Sequence, residues 1–223
     1  MLCLGLDPSL TNYGWAIHDT EAPVGTLTRC VARGRFQTPS KMEFIDRFVH
    51  QRDALSALFE KHKIDKVGIE FPVFDEFRSE TMYGLFLFSC EALKKAKVDV
   101  VFWTPLQAKA HARETIVRPQ GWPMDKPDMV EAATADCAAR MNHNEADAYL
   151  VGRLAARFWL YYDNHLDDAD LTKTERQYFS KVHTFVRGKR AGKTVRSGMI
   201  FRENDRFFPW STSQEESTNG SKE

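Results

Sequence analysis

Two apolar segments that end in a carboxylate constrain the fold of this chain more than any other feature. The chain opens with MLCLGLDPSL, and a later stretch reads KVGIEF. Successive side chains of a strand point to opposite faces, so Asp7 shares a face with Gly5, and Glu70 shares a face with Gly68. A glycine two residues before each acid leaves space beside the carboxylate, through which something bulky can approach the sheet.

A third acid lies on a predicted helix, in the stretch HNEADAYLVGRLAARF. Leu150, Val151, Leu154 and Phe158 form its apolar stripe, and Asp147 falls on that stripe by its spacing of three, four, seven and eleven residues. An unpaired charge on a buried face costs several kcal/mol. Asp147 therefore needs a cationic partner.

Each acid also has an ordinary explanation. Asp7 precedes a proline and can cap a turn, Glu70 can be a loop residue at a strand end, and Asp147 can pair with Arg153 or Arg113. Three acids from three elements, each on a glycine-flanked or apolar face, favour one shared site for a divalent metal. Hard oxygen ligands indicate Mg²⁺ or Mn²⁺.

The charge distribution indicates an anionic partner for one part of the chain. The 223 residues have a formal net charge of zero, which argues against a uniformly basic nucleic-acid surface. Residues 171–206, however, contain ten lysines and arginines against three acids. Such a basic segment is suited to binding the phosphate groups of an anionic partner.

The cysteines and the hydropathy restrict the class of protein. The four cysteines are widely spaced without a CxxC pair, which argues against a zinc site and is typical of reduced thiols. The sequence contains neither a signal peptide nor an apolar run of about 18 residues. We expect a cytoplasmic protein, in a bacterium or an infected host cell, that does not contact the membrane.

The order of predicted elements indicates an α/β fold. Three strands followed by strand–helix–strand units predict a mixed five-stranded sheet, with three antiparallel strands and then parallel additions, flanked by helices. The predicted strands cover residues 2–6, 13–18, 27–36, 66–71 and 98–103, and the predicted helices cover 40–63, 80–97, 106–115, 128–141 and 144–162. We expect one folded domain at 1–165, a basic extension with β-like pieces at 179–186 and 195–202 within 166–210, and a disordered tail at 211–223.

Four stretches in this order, LGLDPSLTNYGWAI, VGIEFPVF, KPDMVEAA and NEADAYLVGRLA, resemble the RuvC family of Holliday-junction resolvases. This family belongs to the ribonuclease-H-like superfamily, and the bacteriophage and prophage branch is the most similar. The resemblance covers roughly residues 2–160. It implies a mixed five-stranded sheet, a homodimer, and Mg²⁺-dependent paired cutting of four-way DNA junctions that leaves 5′-phosphate and 3′-hydroxyl ends.

The resemblance assigns Asp7, Glu70 and Asp147 as the metal-binding acids of a site with two Mg²⁺ ions, for which Mn²⁺ can substitute. The family usually has Asp, or sometimes His, three residues before the last acid, where this chain has Asn144. An amide supplies an oxygen but no charge, so the second ion would be held more weakly.

Two neighbours of that position are alternatives as the fourth ligand. His143 or Glu145 could replace the amide after a small rotation of the helix. Alignment with the family favours Asn144 as the fourth ligand, whereas metal-binding chemistry favours His143.

Candidate DNA contacts follow the second acid and continue along the chain. In the family an aromatic residue just beyond this acid stacks on bases opened at the junction, which indicates Phe74 with Phe77 behind it; both rings could instead pack against the next helix. Lys109 and Lys126 are candidate phosphate contacts or ordinary surface lysines. The basic extension predicts a DNA-binding arm or a hairpin that packs on a partner subunit, with Arg187, Lys189, Arg190, Lys193 and Arg196 as its contacts.

Three other functions fit parts of the sequence. An actin-like or sugar-kinase ATPase also begins with strand, Asp, turn and strand, but it needs a second, equivalent domain, and the chain is too short for one. A related nuclease could cut flaps or RNA–DNA hybrids. The amide at position 144 also allows a junction-binding protein with weak catalysis.

Overall fold

The computed structural model describes residues 1–21, 29–71, 79–119 and 121–179, and the backbone of four short strands beyond them. The strands of the main body are β1 (Leu2–Asp7), β2 (Asn12–Asp19), β3 (Arg29–Gln37), β4 (Lys66–Glu70) and β5 (Asp99–Trp103). The helices are α1 (Phe44–Lys61), α2 (Ser79–Ala96), α3 (Pro105–Ala112), α4 (Lys126–Cys137), α5 (His143–Tyr162) and α6 (Lys173–Phe179). The short strands are β6 (Val182–Thr184), β7 (Thr194–Arg196), β8 (Met199–Phe201) and β9 (Phe207–Pro209).

The sheet has the predicted mixed topology. Its strands lie in the order β3-β2-β1-β4-β5. The pairs β3–β2 and β2–β1 are antiparallel, whereas β1–β4 and β4–β5 are parallel. The five-stranded α/β prediction is therefore confirmed.

The C-terminal segment extends this sheet, which the sequence did not predict. Strand β8 pairs antiparallel with β5, and β9 pairs with β8, so the whole sheet has seven strands. Strands β6 and β7 form a separate antiparallel pair. The predicted β segment at residues 195–202 is thus divided between two sheets.

Helices cover both faces of the sheet. On one face α1 and α2 pack on the side chains of Leu4, Leu6, Val67 and Ile69. On the other face α5 packs against the alternate residues, which include Cys3 and the last residues of β5. Alternation along each strand therefore leads to two apolar layers, because helices bury both faces.

Helix α5 lies unusually close to the sheet because small residues face each other across the contact. A Cβ added to Gly5 would lie 2.2 Å from the carbonyl oxygen of Ala148 and 2.3 Å from the backbone nitrogen of Gly152. A Cβ on Gly68 would lie 2.2 Å from the Cβ of Ala155. The space that the strand glycines leave is therefore filled by a helix of the same chain.

Several predicted helix boundaries were wrong. Helix α1 begins at Phe44 rather than at residue 40, and Glu43 at its N-cap makes no side-chain capping bond. Helix α4 covers 126–137 rather than 128–141 because Asp125 and Asp128 form a capping box at its start. It ends where Ala138 adopts the left-handed conformation, with φ 54°.

Helix α6 was not predicted, and it is attached to α5 by a buried ion pair. The guanidinium of Arg157 donates to both carboxylate oxygens of Glu175, with 2.7 Å between Nη2 and Oε2. Leu171 and Phe179 lie in the apolar layer around α5. The domain boundary at residue 165 stays a prediction, and the tail at 211–223 lies outside the described residues.

All four cysteines have free thiols. Across the described ranges, none of the helices combines the length and the apolar character that crossing a membrane requires. The cytoplasmic location stays a prediction.

Candidate active site

Asp7 and Glu70 lie side by side at the carboxyl ends of the neighbouring strands β1 and β4. Strands β1 and β4 are parallel, and the pairing of Leu6 with Ile69 is the last before the two acids. Each acid is therefore the next residue in its own strand, at the carboxyl end. In parallel sheets this is the edge where ligands bind.

Asp147 reaches the same edge on α5. A Cβ on Gly14 would lie 2.1 Å from the carbonyl oxygen of Asn144, and Gly14 is the residue that pairs with Asp7 across the β1–β2 ladder. The first turn of α5 therefore rests on the sheet directly beside the first acid. Asp147 is half-buried in the next turn.

The electrostatics show that the three carboxylates share one environment. Burial raises the pKa of Asp7 well above its ordinary value, and the charges of Glu70 and Asp147 raise it further. Burial and the charge of Asp147 raise the pKa of Glu70 to about 7. The pKa of Asp147 is raised to about 6, mainly by burial. Such clusters of perturbed acids are typical of functional sites.

Two lysines oppose these shifts. Lys109 on α3 lowers the pKa of Glu70 and Asp147, and Lys126 at the start of α4 lowers the pKa of Asp7 and Asp147. Lys109 is half-buried and Lys126 is exposed. The two predicted phosphate contacts thus lie beside the predicted metal ligands, where a cation can meet an incoming phosphate.

The ordinary explanation for Asp147 does not hold. Arg153 pairs with Asp136, with 3.3 Å between Nε and Oδ2. Arg113 donates instead to the backbone carbonyl of Trp122. Neither arginine that the sequence offered as a partner neutralises Asp147.

The three candidates for the fourth ligand lie in different positions. Asn144 is buried, with 8% of its surface exposed, and its backbone carbonyl lies against Gly14 of β2. The carboxylate of Glu145 accepts the N–H of Asn142 at 3.2 Å in the capping box of α5, so it is engaged in holding the helix start. His143 is exposed. The role of Asn144 as a ligand stays a prediction.

The donor set suits a hard divalent cation, although the side chains are not arranged around one. No three His, Cys, Asp or Glu side chains among the described residues are positioned to hold an ion as they stand. The charges of Glu70 and Asp147 nevertheless raise the pKa of Asp7, and the charge of Asp147 raises the pKa of Glu70. A cation beside these carboxylates would remove that cost. Carboxylate oxygens are the ligands that Mg²⁺ and Mn²⁺ prefer.

The other predicted DNA contacts lie beyond the described side chains. Phe74 and Phe77 lie outside the described residues, as do Arg187, Lys189, Arg190 and Lys193. Only the backbone of Arg196 is described, in β7.

Comparison with known proteins supports a relationship to RuvC. The chain is 34% identical over 67 residues to the crossover junction endodeoxyribonuclease RuvC of Caulobacter vibrioides, covering 30% of this chain and 38% of that protein. With the protein of the same name from Sphingopyxis alaskensis it shares 39% identity over 70 residues, 31% and 43% of the two chains. It thus spans less than half the length of these relatives. No protein-family model matches the chain.

The structural comparison covers more of the chain. A structure of Thermus thermophilus RuvC superposes with a TM-score of 0.59 at 16% identity, over 74% of this chain and 97% of that one. The structure of T. thermophilus RuvC in complex with a Holliday-junction substrate gives a TM-score of 0.57 at 15% identity, over 74% and 96% of the two chains. This is the RuvC fold. The chain is thus similar to RuvC in fold over most of its length and in sequence over about a third of it, whereas the bacteriophage or prophage branch stays a prediction.

The raised pKa values lead to a prediction about stability. A carboxyl whose pKa is higher in the folded than in the unfolded chain favours folding while it is protonated, and this contribution is lost as pH rises through the folded pKa. Without divalent ions, we expect the melting temperature to fall between about pH 4 and pH 7 on account of Glu70 and Asp147. The fall should be smaller in Asp147→Asn than in the exposed control Asp53→Asn. Calorimetry in EDTA measures both, and equal falls would contradict the shared carboxylate site.

Proposed function

We propose that this protein is a structure-selective DNA endonuclease that resolves four-way junctions by paired, metal-dependent hydrolysis, leaving 5′-phosphate and 3′-hydroxyl ends. The observation that carries the proposal is the electrostatic influence that Asp7, Glu70, Asp147 and two lysines have on one another near the carboxyl ends of β1 and β4 in a RuvC fold. The names of the sequence relatives support a junction substrate.

Each residue of the candidate site has a proposed role that depends on its position. The charges of both Glu70 and Asp147 act on Asp7, which makes it the candidate ligand for two divalent ions. Glu70 would hold one ion, and Asp147, helped by Asn144, would hold the other. Lys109 and Lys126 would bind the phosphates on either side of the bond that is cut. When bound, the ions would activate water and neutralise the leaving 3′ oxygen.

A homodimer follows from paired cutting, since each chain carries one such site and two strands must be cut. Phe44 and Ile45 on α1 and Leu87 on α2 are apolar and between 48% and 61% exposed, which is consistent with a covered surface. Sedimentation of the protein alone and with a junction measures the assembly.

Cleavage of defined substrates tests the proposed reaction. End-labelled four-way junctions, Y-forks and RNA–DNA hybrids are incubated with the protein in Mg²⁺, in Mn²⁺ and in EDTA. We expect symmetric paired nicks in the junction and none in EDTA. Preferential cutting of forks or hybrids would assign the flap or hybrid activity instead, and tight binding without cutting would assign a junction-binding protein.

The basic extension is proposed as a DNA-binding arm. Replacing Arg187, Lys189, Arg190, Lys193 and Arg196 together with glutamine should reduce the slope of log Kd against log salt concentration by up to about 0.9 for each lost phosphate contact. The control replaces Lys41, Lys61 and Lys63, which are exposed on or near α1, in the same way. An unchanged slope in the variant with five replacements would contradict a DNA-binding role for the basic extension.

A further inference from the structure

Trp122 is an exposed aromatic residue in the loop that connects α3 to α4. It exposes 49% of its surface, although tryptophan is usually well covered. Its indole N–H donates to the Oδ2 of Asp128 at 3.2 Å, and its carbonyl accepts from Arg113. The polar groups of the residue are therefore bonded while much of the ring faces solvent.

Three charged residues keep this loop in place, and we call them the loop clip: Arg118, Asp128 and Glu131. Asp128, with 6% of its surface exposed, accepts from the Nε of Arg118 at 2.7 Å and from the backbone nitrogen of Asp125 at 3.2 Å. Arg118 also donates to Glu131 on the next turn of α4 at 2.5 Å. The loop clip thus fastens the connecting loop to the first turns of α4, which fixes the indole without burying it.

The N-terminal end of α4 carries a charge that acts on the carboxylates of the candidate active site. Lys126 is the first residue of α4, between the two members of the capping box, and its charge acts on Asp7 and Asp147. Trp122 is bonded to the third residue of that helix. The indole and the lysine ammonium therefore lie at one rim of the candidate active site.

We propose that Trp122 stacks on an unpaired base of the DNA bound at this rim, and that the loop clip holds the ring for that contact. The proposal rests on the proposed function, because it requires a nucleic acid at the carboxylate site. An immobilised ring loses little conformational freedom on binding, and a neighbouring cation attracts the backbone of the stacked nucleotide. A base at the opened centre of a junction has the free π-face that stacking needs.

Binding measurements on four variants test the contact. Fluorescence anisotropy in EDTA gives the Kd for a labelled four-way junction without cutting, for the parent, Trp122→Ala, Trp122→Phe and Val117→Ala. Val117 is the matched control, since it is 96% exposed in the same loop and its side chain takes no part in the loop clip. Its backbone carbonyl, which accepts from Arg118, is kept in the alanine variant. Melting temperatures are measured in parallel.

We expect Trp122→Ala to weaken binding about tenfold, Trp122→Phe to retain most of the affinity, and Val117→Ala to bind as the parent does. The alanine and phenylalanine variants should melt at similar temperatures, because the ring is not part of the core. A 2-aminopurine at the junction centre should lose fluorescence on binding the parent but not on binding Trp122→Ala.

Two results would overturn the proposal while leaving the nuclease function intact. One is parent-like affinity in Trp122→Ala. The other is a loss of affinity that follows a fall in melting temperature and is equal in the alanine and phenylalanine variants, which would show a structural role. A parent protein that binds no branched DNA would contradict the proposed function itself.

Discussion

Gly5→Ala is expected to destabilise the protein by at least about 4 kcal/mol, at the upper end of single-residue effects. The new Cβ would lie 2.2 to 2.4 Å from backbone atoms of Ala148 and Gly152. Backbone of a packed helix cannot move aside as a flexible side chain can, so α5 would have to leave the sheet. Urea unfolding, followed by circular dichroism, measures the loss.

A second glycine provides the control. Gly84 in α2 has Phe48 as its nearest neighbour, with 3.4 Å between the added Cβ and a ring atom, which is an ordinary contact. Gly84→Ala should be neutral or stabilise by about 0.5–1 kcal/mol, because alanine is the better helix former. Comparable stability of Gly5→Ala and the parent would contradict the close approach of α5 that places Asp147.

Asp7→Asn is expected to reduce junction cutting at least about a thousandfold, which corresponds to about 4 kcal/mol of lost transition-state stabilisation. Asparagine keeps the size of the side chain but removes the charge that would hold the cations. Junction affinity measured in EDTA should remain, because the lysines and the rest of the DNA surface are unchanged. Single-turnover cleavage of a labelled junction gives the rate.

The same variant has a second expected property. Because burial and two neighbouring acids raise the pKa of Asp7, its charged form is unfavourable in the folded chain. Asp7→Asn should therefore melt at a higher temperature than the parent at pH 8 without divalent ions. Asp53→Asn, at a residue whose side chain is 60% exposed, serves as the control for both properties. Parent-like cutting by Asp7→Asn would exclude this acid as a ligand.

Alternation predicted much of the sheet, whereas the assignment of the site residues stays a prediction. The pattern of LCLGLD and KVGIEF placed each acid on the face of its glycine, and the structure shows that face against α5. What the sequence reasoning missed is the complementary set on the helix. Gly14 and Gly152 were not singled out, although Ala148, Gly152 and Ala155 recur at helical spacing and mark a flat helix face.

Other misses have equally local causes. Helix α4 begins earlier than predicted because the Asp125–Asp128 capping box outweighs the loop-like Pro and Gly content before it. Helix α6 is too short for a periodic signal, and part of its attachment is a buried pair, Arg157 with Glu175, 18 residues apart in the chain. Long-range ion pairs of this kind leave no pattern in a single sequence.

A crystal structure of the protein soaked with Mn²⁺ tests the central claim most directly. We expect anomalous-scattering peaks bounded by the carboxylates of Asp7, Glu70 and Asp147, with oxygen ligands at about 2.0–2.2 Å. It also shows which of His143, Asn144 and Glu145 completes the coordination. Peaks elsewhere, or none at this edge while the three acids remain apart, would contradict the proposed metal centre and with it the nuclease.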